Sequence, residues 1–326
     1  MTSRAIPTLP LDPITQVEAV SEVLRETAKQ DPLLCVLTAD LMRSTKTKPF
    51  STDFPDRFIN VGIAEQSMVG IAAGLATCGK LPVVAAFAAM LSMRACEQIR
   101  TDVAYPNLNV KIIACSAGLT FGYSGPTHHA IEDIAILRAM ANMTVIVPCD
   151  ARETREAVRA ALARPGPVYI RIGRTSERTV YPEKVDYEIG RAIVLREGTD
   201  VTLIGCGRTV ADCIIAADLL LKEGIMARVL DLHTIKPIDW AAIVEAAKTR
   251  LIVTVEEHSE IGGLGGAVAE MLAGLGNTPP LKRLGIPDTY PPVGPQEALL
   301  DKYGVTALHI ADVVLGSQHL SPTGRD

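Results

Sequence analysis

The sequence predicts an α/β protein with two parallel or mostly parallel three-layer domains. Three observations predict it. Short β-branched runs alternate with longer helical patterns, the signature of parallel strands covered by their connecting helices. A length of 326 residues suits two domains at roughly 100–200 residues each. A charged stretch over residues 175–198, with Pro182 and several turn formers, divides the alternating pattern in the middle. The expected domains are therefore 13–176 and 199–316, joined by a linker over 177–198.

The elements follow in order. Residues 1–12 read as an irregular arm. Residues 13–29 read as a helix that lines up Val17, Val20, Val23 and Leu24 on one face. A buried strand over 33–37 ends in the turn Thr38-Ala39-Asp40. A short strand over 58–62 leads into a helix of small residues over 64–76. A strand over 83–87 is followed by a helix over 91–104, and a strand over 110–115 by the loop 116–129. The first domain closes with a helix over 131–141, a strand over 144–147, a helix over 151–163 and a strand over 168–172. In the second domain, strands are expected over 201–205, 227–232 and 251–255, with helices over 209–223, 240–248 and 266–275. Residues 317–326 form a polar tail.

Composition excludes several classes. Apolar residues make up 48% and charged residues 21%, an ordinary globular balance that rules out wholesale disorder. A net charge of −5 argues against a general nucleic-acid binder, which needs a basic face. The 4% of aromatic residues is too little for a stacking platform that grips single strands. The seven cysteines (35, 78, 96, 115, 149, 206, 213) form no CxxC pair, which suits free thiols in a reducing, cytoplasmic compartment. No apolar h-region marks a secretory signal at the N-terminus, and the apolar run 81–93 stops at Arg94, too short to span a bilayer.

Four motifs stand out. Gly205-Cys206-Gly207 follows a strand but lacks the third glycine of a dinucleotide fingerprint, so it reads as a tight turn. The glycine run 262–266 lacks the Lys-Ser/Thr of a P-loop and reads as a turn that lets a helix pack closely. In Asn60-Val-Gly-Ile-Ala-Glu-Gln66, Glu65 opens a helix. The helix dipole alone accounts for an acid there. The small residues Gly70, Ala72, Ala73, Gly74 and Ala76 permit another backbone to approach, however, and a desolvated carboxylate there suits proton exchange with a bound heterocycle. Gly118-Leu-Thr-Phe-Gly-Tyr-Ser-Gly-Pro-Thr-His-His129 is a shaped loop after a strand's C-terminal end, where α/β proteins hold ligands. Its two histidines lack a second ligand motif. Glu132 and Asp133 just beyond are explained by the helix they open, so an acid–base or hydrogen-bonding histidine is expected rather than a metal site.

Together with Val147-Pro-Cys-Asp-Ala-Arg152 and Val255-Glu-Glu-His-Ser-Glu-Ile-Gly-Gly-Leu-Gly265, these motifs resemble the C-terminal half of transketolase. More closely, the chain resembles the separate C-terminal subunit of split bacterial transketolases. The resemblance covers about residues 13–315, in family order and at family spacing. It implies a pyrimidine-binding thiamine diphosphate fold followed by the transketolase C-terminal domain. In that family a glutamate bonds the pyrimidine ring and promotes the imino tautomer that deprotonates C2 of the thiazolium; the matching residue is Glu65. Leu41, after Asp40, matches the leucine that supports the bent cofactor. Phe87 matches the first aromatic flanking the pyrimidine, and Met90 stands where the second is usually Phe. His128 matches a histidine that contacts substrate oxygens and assists proton transfer, and Arg174 an arginine that holds a distal phosphate.

Two departures bear on the substrate. Ser116 stands where the family usually carries a histidine associated with phosphate, and Ser124 where it carries an aspartate associated with a substrate hydroxyl. The substrate is therefore expected to differ from the usual pentose phosphates. The family holds the diphosphate and its metal with a Gly-Asp-Gly motif, and this sequence has none. The resemblance thus implies a shared thiamine diphosphate site, with Mg2+ or a similar divalent ion held by an N-terminal transketolase subunit. It implies no metal ligands in this chain, self-association into an α2β2 heterotetramer, sugar or sugar-phosphate substrates, and neither nucleic acid nor membrane as partner. The alternatives are the β subunit of a 2-oxo acid dehydrogenase, a deoxyxylulose-phosphate-synthase-like enzyme, or a non-catalytic stabilising subunit. The Gly-Pro-Thr-His loop favours transketolase, and Glu65 with His128 argues against a silent partner.

Overall fold

Apolar β-branched runs build two sheets, which a computed structural model describes over residues 7–317. Residues 1–6 of the expected arm and 318–326 of the expected tail lie outside the described residues. In chain order the elements are α1 (Gln16–Gln30), β1 (Leu34–Thr38), α2 (Lys48–Asp53), β2 (Phe58–Asn60), α3 (Glu65–Thr77), β3 (Leu81–Phe87), α4 (Cys96–Gln98), β4 (Lys111–Cys115), α5 (Asp133–Ala139), β5 (Thr144–Ile146), α6 (Ala151–Ala163) and β6 (Val168–Arg171). The second half adds β7 (Ile193–Arg196), β8 (Val201–Gly205), α7 (Thr209–Lys222), β9 (Ala227–Asp231), β10 (Thr234–Lys236), α8 (Trp240–Ala246), β11 (Ile252–Ser259), α9 (Leu264–Ala273), β12 (Leu281–Ile286), α10 (Gln296–Lys302) and α11 (Ala307–Leu315).

The first sheet has seven strands in the order β10-β5-β6-β4-β3-β1-β2, all parallel except β10. The second has five in the order β12-β11-β8-β9-β7, with only β7 antiparallel. The strand side-chain alternation sorts the core. Leu34, Val36, Val83 and Ile113 pack with Val20 and Leu24 of α1 and Val158 of α6. Leu37, Val84 and Ile112 face the other way, with Met68 of α3. That second cluster continues through Ile204, Leu230 and Ile252 into α9, so one core runs under both sheets. The mostly parallel α/β architecture matches the sequence expectation.

The differences have physical reasons. The helix expected over 91–104 is a short α4 between two π-helical pieces, Met90–Arg94 and Ile99–Ala104. Their i→i+5 bonds, Ala95 N–H to Met90 O and Tyr105 N–H to Arg100 O, widen each turn by a residue. The helix expected from 266 starts at Leu264, because the buried Glu256 carboxylate on β11 accepts the Leu264 and Gly265 N–H groups at 2.6 and 2.8 Å. The helix expected over 131–141 begins only at Asp133, because Ala130 is held in a bridge to Gly118. The charged stretch 175–198 is not irregular throughout. Ile193–Arg196 pairs antiparallel with β9 as an edge strand. Leu11 bridges Arg178, and the Thr179 N–H donates to Pro10 O, so the end of the expected arm is pinned. α2, β10, β12, α10 and α11 belong to none of the expected elements.

Candidate active site

The strands β6, β4, β3, β1 and β2 are neighbours and parallel, so their C-terminal ends form one continuous edge. The expected site residues line that edge. Arg174 follows β6, Ser116 follows β4, Phe87 ends β3, Asp40 and Leu41 follow β1, and Glu65 follows β2 at the start of α3. This is where open α/β sheets hold ligands.

On the β1–β2 side, the Asn60 side-chain oxygen accepts the Asp40 and Gly62 N–H groups at 3.0 and 3.2 Å, which ties the two strand ends together. Asp40 is in the left-handed region (φ 58°), as a sharp turn off a strand requires. Leu41 is half-buried against the core. The Glu65 side chain is 3% exposed and pairs with Arg94 Nη1 at 2.7 Å; the Arg94 side chain is 48% exposed. A buried carboxylate is costly without a partner, and Arg94 supplies one from the wide π-helical turn. Arg94 and Met90 line a cleft of about 510 Å³ with Pro126, Thr127, His129 and Tyr290.

On the β4–β6 side, Ser116 is buried with φ 56°. The loop beyond makes one 3-10 turn over Gly122–Ser124, which leaves Ser124 half-buried. The His128 ring is edge-on to Phe121 (centroids 5.4 Å, 84°) and Phe87 (6.1 Å), and its Nδ1 is 3.0 Å from Thr127 Oγ1. The Arg174 guanidinium stacks on Phe121 at 4.2 Å, and its buried Nη1 takes no partner among the described residues. Phe87, Phe121, His128 and Arg174 therefore form one cluster of rings and a cation, with an unused donor. His129 is buried, its Nε2 3.3 Å from Gly122 O, and burial lowers its pKa.

The structure thus brings Phe87, His128 and Arg174 together and puts Met90 beside the Arg94–Glu65 pair. Sequence reasoning missed Phe121 and Arg94 as partners in the site. The signal for Arg94 was a lone charge closing an otherwise apolar run, and for Phe121 a phenylalanine within a glycine-rich loop.

A different cluster lies outside the cleft, between α6 and the end of β9. There Cys149, Glu153 and Asp231 bring potential ligand atoms within 4.8 Å of one another, all buried. Burial pushes the Asp231 carboxyl up to about 7, and the Tyr181 hydroxyl donates to it at 2.8 Å.

Comparison with known proteins gives the family. Residues 12–179 match the family model described as transketolase, pyrimidine binding domain, and residues 190–310 that described as transketolase, C-terminal domain. A 6-deoxy-6-sulfo-D-fructose transketolase subunit of Clostridium sp. (strain MSTE9) is 43% identical over 89% of this chain and 90% of its own. An apulose-4-phosphate transketolase subunit of Phocaeicola vulgatus is 42% identical over 88% of this chain and 92% of its own. A solved structure described as a split gene transketolase, inactive β4 tetramer, superposes with a TM-score of 0.85 at 45% identity, covering 94% of this chain and 99% of that one. The chain belongs to the transketolase family, which depends on thiamine diphosphate, and carries that family's pyrimidine-binding and C-terminal domains on one polypeptide.

Proposed function

We propose that this chain is the C-terminal subunit of a two-chain transketolase that moves a two-carbon ketol unit from a ketose to an aldose. The observation that carries the reading is the shared edge of β6, β4, β3, β1 and β2, with a buried carboxylate at one end and a ring–cation cluster at the other. In this reading residues 13–176 form the pyrimidine-binding domain, 177–198 a linker and 199–316 the C-terminal domain.

The residues fit half of the cofactor. Leu41, Phe87 and Met90 supply apolar side chains near the same sheet edge as the buried Glu65 carboxylate, a lining that suits a heteroaromatic ring that exchanges a proton. Asp40 shapes the turn that presents Leu41. The diphosphate and its metal find no such support, because the sequence has no Gly-Asp-Gly, and the described carboxyl–thiol cluster is at Cys149, Glu153 and Asp231 instead. An N-terminal subunit would hold them. Thiamine diphosphate, when bound, supplies the carbon nucleophile that carries the ketol unit. Glu65 then holds and moves a proton at the pyrimidine ring. His128 bonds a substrate oxygen and moves its proton. Arg174 offers its unused Nη1 to the anionic end of the substrate.

Ser116 and Ser124 put neutral groups where a histidine and an aspartate are usual, so the substrate is an anionic sugar that differs from the ordinary pentose phosphates. The two relatives support this, since their names specify 6-deoxy-6-sulfo-D-fructose and apulose 4-phosphate. The tetramer named for the solved relative supports self-association of this subunit, here within an α2β2 assembly in the cytoplasm. No helix among the described residues is long and apolar enough to cross a membrane.

The test mixes this chain with its N-terminal partner, thiamine diphosphate and Mg2+, and follows ketol transfer between defined sugars. Transfer by the mixture and by neither chain alone is expected. No transfer with any sugar pair, or transfer by this chain alone, would overturn the reading.

A further inference from the structure

The loop 116–129 has only one 3-10 turn of regular structure, so something outside it must fix its shape. Part of the answer is local. Gly118 and Ala130 exchange backbone hydrogen bonds at 3.0 Å in both directions, and Thr120 Oγ1 donates to Ala117 O at 2.7 Å. The rest comes from the second domain.

Glu257, buried near the end of β11, accepts the Leu119 N–H at 3.0 Å through Oε1, and the same oxygen accepts Gln296 Nε2 of α10 at 2.7 Å. The Glu257 carbonyl accepts Arg171 Nη2 at 2.8 Å, and that nitrogen also donates to Ala130 O at 2.9 Å, where the loop ends. Both ends of the loop are therefore tied to one residue of the second domain. Asp133 pairs with Arg171 Nε at 2.9 Å and holds the guanidinium in place.

The loop's three glycines give the same answer independently. A Cβ on Gly118 would stand 2.5 Å from the Glu257 carboxyl carbon. One on Gly122 would collide with the Gly294 carbonyl, and one on Gly125 would meet Val293 at 2.8 Å. Each glycine marks a place where the second domain presses against the loop.

We propose that the C-terminal domain is the mould of the substrate loop and that Glu257 is its positioning residue, acting through Leu119 and Ala130 on the placement of Ser124 and His128. This gives the Val255–Gly265 motif a division of labour: Glu256 caps α9, while Glu257 holds the loop. The proposal rests on the reading that this loop receives the sugar.

Amide hydrogen exchange of the cofactor-free chain is compared with steady-state kinetics of the two-chain mixture, for Glu257→Ala, Glu257→Gln and Gln296→Ala. In Glu257→Ala, exchange at Leu119 and its neighbours accelerates about tenfold or more, while β1 and β3 keep their protection. Glu257→Gln stays within about threefold of the parent, because an amide oxygen accepts the same N–H. Gln296→Ala falls between them and decides the matter if Glu257→Ala does not fold. In the mixture, Glu257→Ala raises KM for the ketose about tenfold and changes kcat less than about threefold, the signature of lost positioning. Unchanged loop exchange in the folded variants would overturn the proposal. So would faster exchange spread evenly over the whole chain, or a kcat/KM for the ketose that does not move. Should no sugar pair react, the exchange result still stands or falls alone, and the kinetic failure belongs to the proposed activity.

Discussion

The two halves of the candidate site are held in different ways. Phe87 ends a strand, Leu41 lies just beyond another and Glu65 opens the helix that follows a third, so pairing among those three strands sets their spacing. Ser124 and His128 ride on a loop whose anchors come from the second domain, as in the bond between Leu119 and Glu257, 138 residues apart in sequence. The cofactor half is a product of sheet geometry, and the substrate half is a product of domain packing. In the proposed function, substrate preference would then be free to change through loop residues and their second-domain contacts, while the sheet edge that carries Glu65 and Phe87 stays as strand pairing builds it.

The largest effect that tests this division is at Glu65. In Glu65→Gln, proton exchange at C2 of thiamine diphosphate bound to the assembled complex should slow at least about a hundredfold. A merely dipole-compensating acid would instead cost about 0.3–1 kcal/mol of stability and leave exchange near normal. His128→Ala should do the reverse, lowering kcat/KM about a hundredfold with C2 exchange unchanged. Both measurements use the same complex. Equal damage to C2 exchange by both variants would dissolve the distinction between the halves.

A second effect concerns what this chain lacks. Calorimetry on the chain alone should give the same weak thiamine diphosphate isotherm with and without Mg2+, because the proposed function puts the pyrimidine ring on this chain and the diphosphate with its metal on the partner subunit. Tight, magnesium-dependent binding would contradict that division.

The same contrast explains what was legible in the sequence. Strand ends and a helix start are local signals, so periodicity put Phe87 at the end of a strand and Glu65 at the start of a helix, while their place in a site came from the family resemblance. The packing of Arg174 on Phe121 joins the loop after β4 to the segment after β6, 53 residues apart in sequence, which no local pattern encodes. The edge strand Ile193–Arg196 was hidden because none of its residues is fully buried and charged residues flank it. The strand Thr234–Lys236 was hidden for another reason. It is short and pairs with a strand of the other domain, an arrangement visible only once both domains are folded. The glycines of the loop were legible as a shaped turn, but not as contact points, since the partners Val293 and Gly294 are remote in sequence.

A third test uses pH and bears on the support of the substrate half. Glu177 is buried 3.4 Å from Arg208 Nε, with an oxygen beneath Gly173, beside Thr120. Burial raises its carboxyl to about 7, and the acids Glu257, Glu297 and Asp212 add to the rise against the pull of Arg208. The folded chain thus holds this proton more tightly than the unfolded chain, whose glutamate titrates near its ordinary value of 4.5. Its contribution to stability is fully present below about 4.5 and is lost as pH rises through about 7. The melting temperature should therefore fall by a few degrees between pH 5 and 8, and Glu177→Gln should flatten part of that fall. Burial likewise raises Asp231 and Glu256 to about 7, so some slope should remain in the variant. Identical slopes in parent and variant would show that Glu177 does not carry the effect.

The smallest effect is the one that reads substrate preference. Ser124 ends the 3-10 turn, half-buried, four residues before His128 on the same loop and outside the ring cluster. A carboxylate in its place would accept a substrate hydroxyl with charge assistance, a bond of about 1.5–3 kcal/mol, where serine offers a neutral and shorter group. Arg174 still provides for an anion in either case. Ser124→Asp should therefore shift preference toward xylulose 5-phosphate and ribose 5-phosphate by about tenfold in kcat/KM, or about 1.4 kcal/mol, relative to a deoxy or branched sugar phosphate. Thr120, Tyr123 or His129 would mask the change if they already supply the missing contacts. In that event the parent complex should use the ordinary pentose phosphates as well as any other pair, and the variant should gain nothing. Because the substitution leaves Glu65 and Phe87 untouched, C2 exchange in Ser124→Asp should equal that of the parent. A shift in exchange without a shift in preference would place Ser124 in the cofactor half and redraw the boundary between the two.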